Sequence, residues 1–73
     1  MEKNDIVYGV HAVTEALVAN TGNKLYIQED LHGNKVEKIK NLAAEKKVSI
    51  SWTPKKTLQE MTDGAVHQGF VLR

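Results

Sequence analysis

Two short apolar runs, at residues 6–8 and 70–72, lie near opposite ends of this 73-residue chain. Runs of this length that are bounded by turn residues are typical of buried β-strands. If the two strands are antiparallel neighbours, the end of the first lies beside the start of the last. A glycine and a histidine adjoin each run on that side, so we expect one rim of the sheet to contain Gly9, His11, His67, Gln68 and Gly69.

Strand and helix patterns alternate between these two runs, in the order βαβαβαβ. Strands are predicted at residues 6–9, 24–28, 48–52 and 69–72. The third alternates with polar residues and suits an edge, whereas the uniformly apolar first and last runs indicate that at least one of them is central. The alternation predicts a three-layer α/β/α domain with a mostly parallel sheet. The tight turn before the last strand also allows it to run antiparallel, which would make the four-stranded sheet mixed.

Apolar spacings of three and four predict helices over residues 10–20 and 34–46, with a short third helix after residue 53. Asn34 and Thr53 are the predicted N-caps, because their side-chain oxygens can accept hydrogen bonds from first-turn amides. Glu37 lies in capping-box register with Asn34. The glycines predicted to end the first and third helices are Gly22 and Gly64.

Three aromatic side chains are candidates for the core or for stacking on nucleic-acid bases. Tyr8 lies in an apolar run and is expected to be buried. Trp52 continues the apolar face of its strand, which favours core packing over stacking. Tyr26 lies opposite the apolar positions of its strand, and both alternatives stay open for it.

The chain is nearly neutral, with a net charge of +1, but its charges are unevenly distributed. Residues 31–56 carry seven lysines and two glutamates, a net charge of +5, whereas residues 1–30 have a net charge of −3. A basic segment can bind phosphates, and it can equally be the solvated face of a helix. Lysine suits phosphate contacts better than base reading, which favours arginine.

Length and motifs argue against several protein classes. The length supports one domain over residues 1–73. No apolar run approaches the roughly 20 residues of a membrane span, and the polar residues 1–5 lack a signal-peptide core, so we expect a cytoplasmic domain without a membrane partner. There is no cysteine, no Gly-rich phosphate loop and no metal-ligand pattern around the histidines, so we expect neither catalysis nor a metal site.

Three motifs follow one another along the chain: Val-Tyr-Gly-Val-His-Ala-Val at residues 7–13, Lys-Leu-Tyr-Ile at 24–27 and His-Gln-Gly at 67–69. Together they resemble the N-terminal substrate-binding domain of SpoU/TrmH-type RNA 2′-O-ribose methyltransferases. The resemblance extends over nearly the whole chain. The most similar members of the family methylate a guanosine ribose of large-subunit ribosomal RNA.

The resemblance implies an α/β/α domain similar to small ribosomal proteins and kink-turn RNA binders. It implies that this domain recognises RNA, with ribosomal RNA the expected partner, and positions it for a separate catalytic domain. S-adenosylmethionine and methyl transfer are implied for that other domain. We therefore expect this chain to be the substrate-binding part alone, a monomer that holds no cofactor and is not itself an enzyme.

The candidate residues each have a functional and a structural interpretation. The two histidines either contact RNA or hold turns through backbone hydrogen bonds. Gln68 either reads a base edge or bridges backbone groups, and the glycines serve backbone geometry or close approach of RNA. Four lysines start two predicted helices, whose backbone N–H groups also favour phosphate. The candidate RNA-binding residues are Gly9, His11, Lys24, Lys35, Lys38, Lys55, Lys56, His67, Gln68 and Gly69.

A second functional class is a protein-interaction module that docks on a catalytic or ribosomal protein. The two classes differ in their response to salt. Binding to RNA weakens steeply as salt rises because counterions are released from the phosphates, whereas salt-insensitive association favours a protein partner.

Overall fold

The computed structural model describes residues 6–73, and it contains the predicted alternation of four strands and three helices. The predicted strand over residues 24–28 has the right bounds, and the other three differ by one residue at one or both ends. The elements in chain order are β1 (Val7–Tyr8), α1 (Val10–Val18), β2 (Lys24–Gln28), α2 (Asn34–Glu45), β3 (Ser49–Thr53), α3 (Lys55–Met61) and β4 (Phe70–Leu72).

The sheet has the strand order β1-β4-β2-β3. β4 is antiparallel to both of its neighbours, and Val71 pairs with Tyr8 on one side and with Tyr26 on the other. The prediction that the first and last strands are antiparallel neighbours is confirmed, as are the mixed sheet, the central β4 and the edge position of β3. The expectation of a mostly parallel sheet is wrong, because only β2 and β3 are parallel. The short α3 and the loop after it return the chain to the end of the sheet at which β3 finished.

Helices α1 and α2 cover one face of the sheet and form the main core with it. The strand residues of this core, Leu25, Ile27, Phe70 and Leu72, alternate along β2 and β4, as period-two side-chain placement requires. α3 packs against β2 from the opposite face, where Leu58 is fully buried. The helix residues of the main core are Val13, Leu17, Val36, Ile39 and Ala43.

The start of α2 differs from the prediction by one residue. Gly33 is the N-cap and has no side chain that could accept a hydrogen bond from the first turn, while Asn34 is already helical. The side chain of Glu37 does not complete a capping box, and its Oε1 lies 3.2 Å from Lys40 Nζ. Gly33 occupies the N-cap because its φ of 121° is a conformation that residues with a Cβ rarely adopt.

The other two helices also end or begin differently from the prediction. α1 stops at Val18, and the left-handed residue behind it is Asn20, with φ of 61°, rather than Gly22. Asparagine tolerates this conformation better than most residues, which makes the glycine unnecessary there. Pro54, not Thr53, is the N-cap of α3. Thr53 instead ends β3, where its hydroxyl donates to the Ser51 carbonyl at 3.1 Å.

The expected burial of two aromatic residues is wrong. Tyr8 is 42% exposed and Trp52 is 47% exposed. Both lie on edge strands, β1 and β3, which have a paired neighbour on only one side within residues 6–73. Tyr26, for which both alternatives were open, is half-buried on the central strand β2.

Within residues 6–73, no helix combines the length and apolar character needed to cross a bilayer. The same part of the chain contains no cluster of three or more histidine or acidic side chains that could hold a metal ion. Residues 1–5, on which the argument against a signal peptide rests, lie outside the described residues.

Candidate functional site

One end of the sheet brings together loops from four parts of the chain. β2 and β3 finish there, since the Gln28 amide donates to the Gly69 carbonyl and the Glu29 amide to the Thr53 carbonyl, both at 2.9 Å. The same end contains the start of β4 and the N-terminal ends of all three helices. We call this surface the rim and define it by residues 9–11, 31–35, 54–56 and 67–69.

Gln68 connects the first and last segments of the rim, as the antiparallel pairing of β1 and β4 predicts. Its side-chain Oε1 accepts a hydrogen bond from the backbone N of Val10, the first residue of α1, at 2.8 Å. The amide of Gly9 donates to the Phe70 carbonyl at 3.1 Å beside it. The side chain of Gln68 therefore holds a backbone amide of α1, and because Gln68 is exposed, it is also accessible to a ligand.

Two glycines of the rim are needed for backbone geometry and close packing. Gly9 has φ of 92°, and a Cβ placed there would lie 3.2 Å from Gln68 Oε1. Gly69 has φ of 86°, and a Cβ there would lie only 2.6 Å from Leu31 Cδ2. Both positions therefore favour glycine because of their positive φ, whether or not a ligand approaches them.

His67 lies inside the rim and is only 6% exposed. Its Nδ1 accepts a hydrogen bond from the Gly69 amide at 2.9 Å, which holds the turn that leads into β4. Burial lowers the pKa of His67, and the positive charge of Lys55 lowers it further. Both effects favour the neutral imidazole, the form whose Nδ1 can accept this hydrogen bond. His11, in contrast, is exposed in the first turn of α1.

The rim lysines surround two hollows that meet at Gln68. A small hollow of about 150 Å³ is lined by Gln68 with His32 and Lys35. A larger one of about 470 Å³ is lined by Gln68 with Lys55 and His67. Lys38 lies one turn further along α2, on a groove between α1 and α2, and Lys56 is exposed next to Lys55.

The electrostatic character of the rim is mixed, with an excess of positive charge. Lys35, Lys55 and Lys56 supply cations, and Glu29 and Asp30 lie beside the end of β2. Asp30 Oδ1 accepts a hydrogen bond from Gln28 Nε2 at 2.7 Å, so one oxygen of this carboxylate already has a partner. The rim can therefore contact phosphate through ammonium groups, and exposed polar side chains lie between those groups.

Sequence reasoning did not identify His32 as a rim residue. It is exposed, lies directly before Gly33 and lines the small hollow with Lys35. All three histidines of the chain thus lie at the rim, each within two residues of a glycine. This shared pattern, a histidine and a glycine next to a strand end, could have identified His32 from the sequence.

One candidate, Lys24, is not part of the rim. It starts β2, whereas the rim lies at the end of that strand, and its Nζ lies 5.5 Å from the centroid of the Tyr26 ring. The other nine candidates lie in the rim or, for Lys38, one helical turn from it. They are Gly9, His11, Lys35, Lys38, Lys55, Lys56, His67, Gln68 and Gly69.

Comparison with known proteins adds to this geometry. Residues 6–73 match the family described as RNA 2′-O ribose methyltransferase substrate binding. The chain is 36% identical over 76 residues to a 23S rRNA (guanosine-2′-O-)-methyltransferase of Shewanella oneidensis. This alignment covers 100% of the chain and 30% of that protein. It is 37% identical over 65 residues to a TrmH family tRNA/rRNA methyltransferase of Staphylococcus haemolyticus. This second alignment covers 88% of the chain and 26% of that protein. The chain therefore spans less than a third of the length of either relative.

Proposed function

Because this chain belongs to the SpoU family of RNA 2′-O-ribose methyltransferase substrate-binding domains, we propose that its rim binds the RNA substrate and positions it for a separate catalytic domain. The observation that carries the proposal is that Lys35 and Lys55 flank the exposed Gln68, each beside a hollow. Ribosomal RNA is the proposed substrate class, since the names of both relatives include ribosomal RNA among their substrates.

Binding at the rim combines non-specific and specific contacts. The lysines of α2 and α3 neutralise phosphates, which supplies most of the affinity and carries no sequence information. Unpaired bases of a loop can enter the two hollows beside Gln68 and can meet the exposed imidazole of His11, because RNA loops display base edges that helical RNA hides. His67 acts behind this surface, by holding the turn that presents Gln68.

We infer that S-adenosylmethionine, the methyl donor that the family resemblance implies, is bound by a separate domain rather than by this chain. A groove of about 580 Å³ between α1 and α2 is lined by two ammonium groups, Lys35 and Lys38, and by one carboxylate, Glu45. The donor is a net cation, and the lysines of this groove outnumber its one carboxylate, so the charges of the groove do not favour its binding. We therefore infer that methyl transfer takes place in a separate domain and that this chain alone does not catalyse it.

A protein-interaction module is the second candidate function. Val66, next to His67, is 83% exposed, so a protein partner that covers this side chain is the alternative ligand beside the rim. Salt dependence distinguishes this function from RNA binding, as follows.

The test measures binding of a labelled ribosomal RNA hairpin to the chain over a series of salt concentrations. Lys35→Ala and Lys55→Ala should each flatten the slope of log K against log salt by about 0.7–0.9, the value for one lost phosphate contact. Lys46→Ala is the matched control, because Lys46 lies just past the far end of α2, about 18 Å from the rim along the helix axis. It should leave the slope unchanged.

Gln68→Glu separates RNA binding from folding. Glutamate keeps an acceptor for the Val10 amide, and its negative charge suits a helix N-terminus, so the fold should be at least as stable. The same charge repels phosphate, so hairpin affinity should fall. Equal slopes for the parent, the rim variants and Lys46→Ala would contradict RNA binding at the rim and favour the protein-interaction module.

A further inference from the structure

The sheet face opposite α1 and α2 carries a row of side chains that the rim does not include. Tyr8, Val71 and Tyr26 are cross-strand neighbours on β1, β4 and β2. Val71 is fully buried between them, whereas Tyr8 is 42% exposed and Tyr26 is half-buried. α3, the one described helix on this face, has seven residues and is about 10 Å long, and it leaves both tyrosines accessible.

Two cations border this row on the side away from the rim. Lys24 Nζ lies 5.5 Å from the centroid of the Tyr26 ring. Arg73 continues β4 next to Lys24, since its amide donates to the Lys24 carbonyl at 2.9 Å, and strand alternation puts it on the face of Val71. None of the four described strands contains an acidic residue, so the sheet itself contributes no negative charge here.

Accessible aromatic rings beside cations on an open sheet suit single-stranded nucleic acid. Every base has a π-face that stacks on tyrosine irrespective of its sequence, and the adjacent cations bind the connecting phosphates. The two tyrosines lie two strands apart, about 10 Å between their backbones, so that each ring can take a separate base. A base that stacks on Tyr26 displaces the Lys24 ammonium, which lies over that ring. A protein partner, in contrast, usually requires a larger apolar patch than two separated rings supply.

We propose that this surface, which we call the tyrosine face and define by Tyr8, Tyr26, Lys24 and Arg73, binds a single-stranded segment of RNA by base stacking. The proposal rests on the proposed function, because the ligand is a segment of the same RNA. It goes beyond that function in adding a second surface at the opposite end of β2. The rim takes the structured part of the substrate, and the tyrosine face takes an unpaired segment that flanks it.

The experiment measures the binding of a labelled, unstructured RNA of about eight nucleotides, a length within the range of known single-strand sites. Tyr8→Leu and Tyr26→Leu keep an apolar cover over Val71 and remove the aromatic ring. Each should weaken binding about tenfold, the typical effect of losing one stacked base. Tyr8→Phe and Tyr26→Phe keep the ring and should bind as the parent does.

Trp52→Leu is the matched control for the loss of an exposed aromatic ring. Trp52 is about as exposed as Tyr8, but its register partner is Ile27, so it lies on the helix-covered face of the sheet. This variant should bind the unstructured RNA as tightly as the parent. Backbone NMR of the unmodified chain gives a test that does not depend on variant folding: the RNA should shift the amides of residues 8, 24–26 and 71–73.

The outcomes separate this proposal from the proposed function when a compact hairpin without flanking single strands is tested in parallel. Unchanged affinity of both leucine variants for the unstructured RNA, shifts confined to the rim, or no binding of this RNA at all would overturn the tyrosine face. In each case Lys55→Ala would still test the rim with the hairpin. If Lys55→Ala leaves hairpin binding unchanged while the leucine variants lose the unstructured RNA, the tyrosine face stands and the rim proposal fails.

Discussion

Replacing His67 by alanine tests whether this histidine supports the fold or contacts RNA. The structure predicts a structural role, because His67 is buried and its Nδ1 accepts the hydrogen bond of the Gly69 amide at 2.9 Å. Alanine offers no acceptor, and Gly69 is itself buried, so water cannot easily replace the lost partner. The amide of Gly69 would then remain unsatisfied in the folded state.

The expected loss is large for a domain of this size. A buried unsatisfied amide costs about 1–3 kcal/mol, and domains of this length have a free energy of unfolding of only about 3–5 kcal/mol. A loss of about 2 kcal/mol corresponds to a decrease in Tm of about 8–16 °C for a small domain. His67→Asn is the conservative control, since the asparagine side-chain oxygen can accept a hydrogen bond from the amide two residues on and so retain most of the stability.

The pH dependence provides a second measurement. Burial and Lys55 lower the pKa of His67 below its ordinary value of 6.5, so the unfolded chain takes up a proton more readily than the folded one. The free energy of unfolding should therefore decrease as the pH falls below 6.5, and the contribution of His67 is fully present only above that pH. His67→Asn has no group that titrates at this position, so this part of the pH dependence should be absent.

Urea unfolding followed by circular dichroism measures all three proteins at neutral and mildly acidic pH. A free energy of unfolding for His67→Ala within about 0.5 kcal/mol of the parent, as for an ordinary exposed position, would refute the structural reasoning. An asparagine variant as unstable as the alanine variant would also refute it. For the folded fraction of His67→Asn, which keeps an acceptor for the Gly69 amide, hairpin affinity should be unchanged. A decrease in affinity of about 1–3 kcal/mol would instead indicate a stacked base.

Three further predictions concern the rim and its ligands. Gln68→Ala should lower the free energy of unfolding by about 0.5–1.5 kcal/mol in urea titrations, because the Val10 amide loses its acceptor. Gly69→Ala should lower Tm more than Gly64→Ala, since the two glycines have similar φ, 86° and 81°, but only Gly69 of the two has a neighbour, Leu31, that a Cβ would meet. Calorimetric titration with S-adenosylmethionine should give no binding heat, and a saturable signal would contradict its assignment to a separate domain.

Local patterns in the sequence were sufficient to predict the elements and the position of the rim. The apolar runs at the two ends of the chain define β1 and β4, and their antiparallel pairing brings Gly9 next to Gln68 although 58 residues separate Val10 from Gln68. Glycine and histidine beside each run then indicate where the loops meet. These inferences succeed because strand length and apolar periodicity are local properties, and a short chain allows few topologies.

Burial of single side chains was harder to predict, because it depends on what lies across the sheet. Tyr8 and Trp52 have apolar neighbours in sequence, but each lies on an edge strand, and the sequence does not specify the strand order. His67 has polar loop neighbours, but its turn folds inward and needs an acceptor for the Gly69 amide. The N-caps were misplaced by one residue because Gly33 has a φ of 121° that other residues rarely adopt, whereas Thr53 still belongs to β3, so that Pro54 is the cap of α3.

The separation of Lys24 from the other candidates leads to a test of whether the rim and the tyrosine face act independently. Lys24 begins β2 and Gln28 ends it, so about 13 Å of strand separates Lys24 from the rim. That distance exceeds the Debye length of about 8 Å at physiological salt, so charges on the two surfaces are largely screened from each other. Substitutions this far apart with no shared partner usually have additive free energies.

For an RNA that carries both a hairpin and a single-stranded flank, Lys24→Ala and Lys55→Ala should therefore have additive effects on the binding free energy. Each should flatten the salt slope by about 0.7–0.9, and the double variant by about twice that amount. Removal of the flank should abolish the effect of Lys24→Ala and leave that of Lys55→Ala intact. If the double variant binds this RNA no more weakly than the weaker-binding single variant, both lysines serve the same contact. That result would contradict the proposed binding, because the two lysines lie near opposite ends of β2.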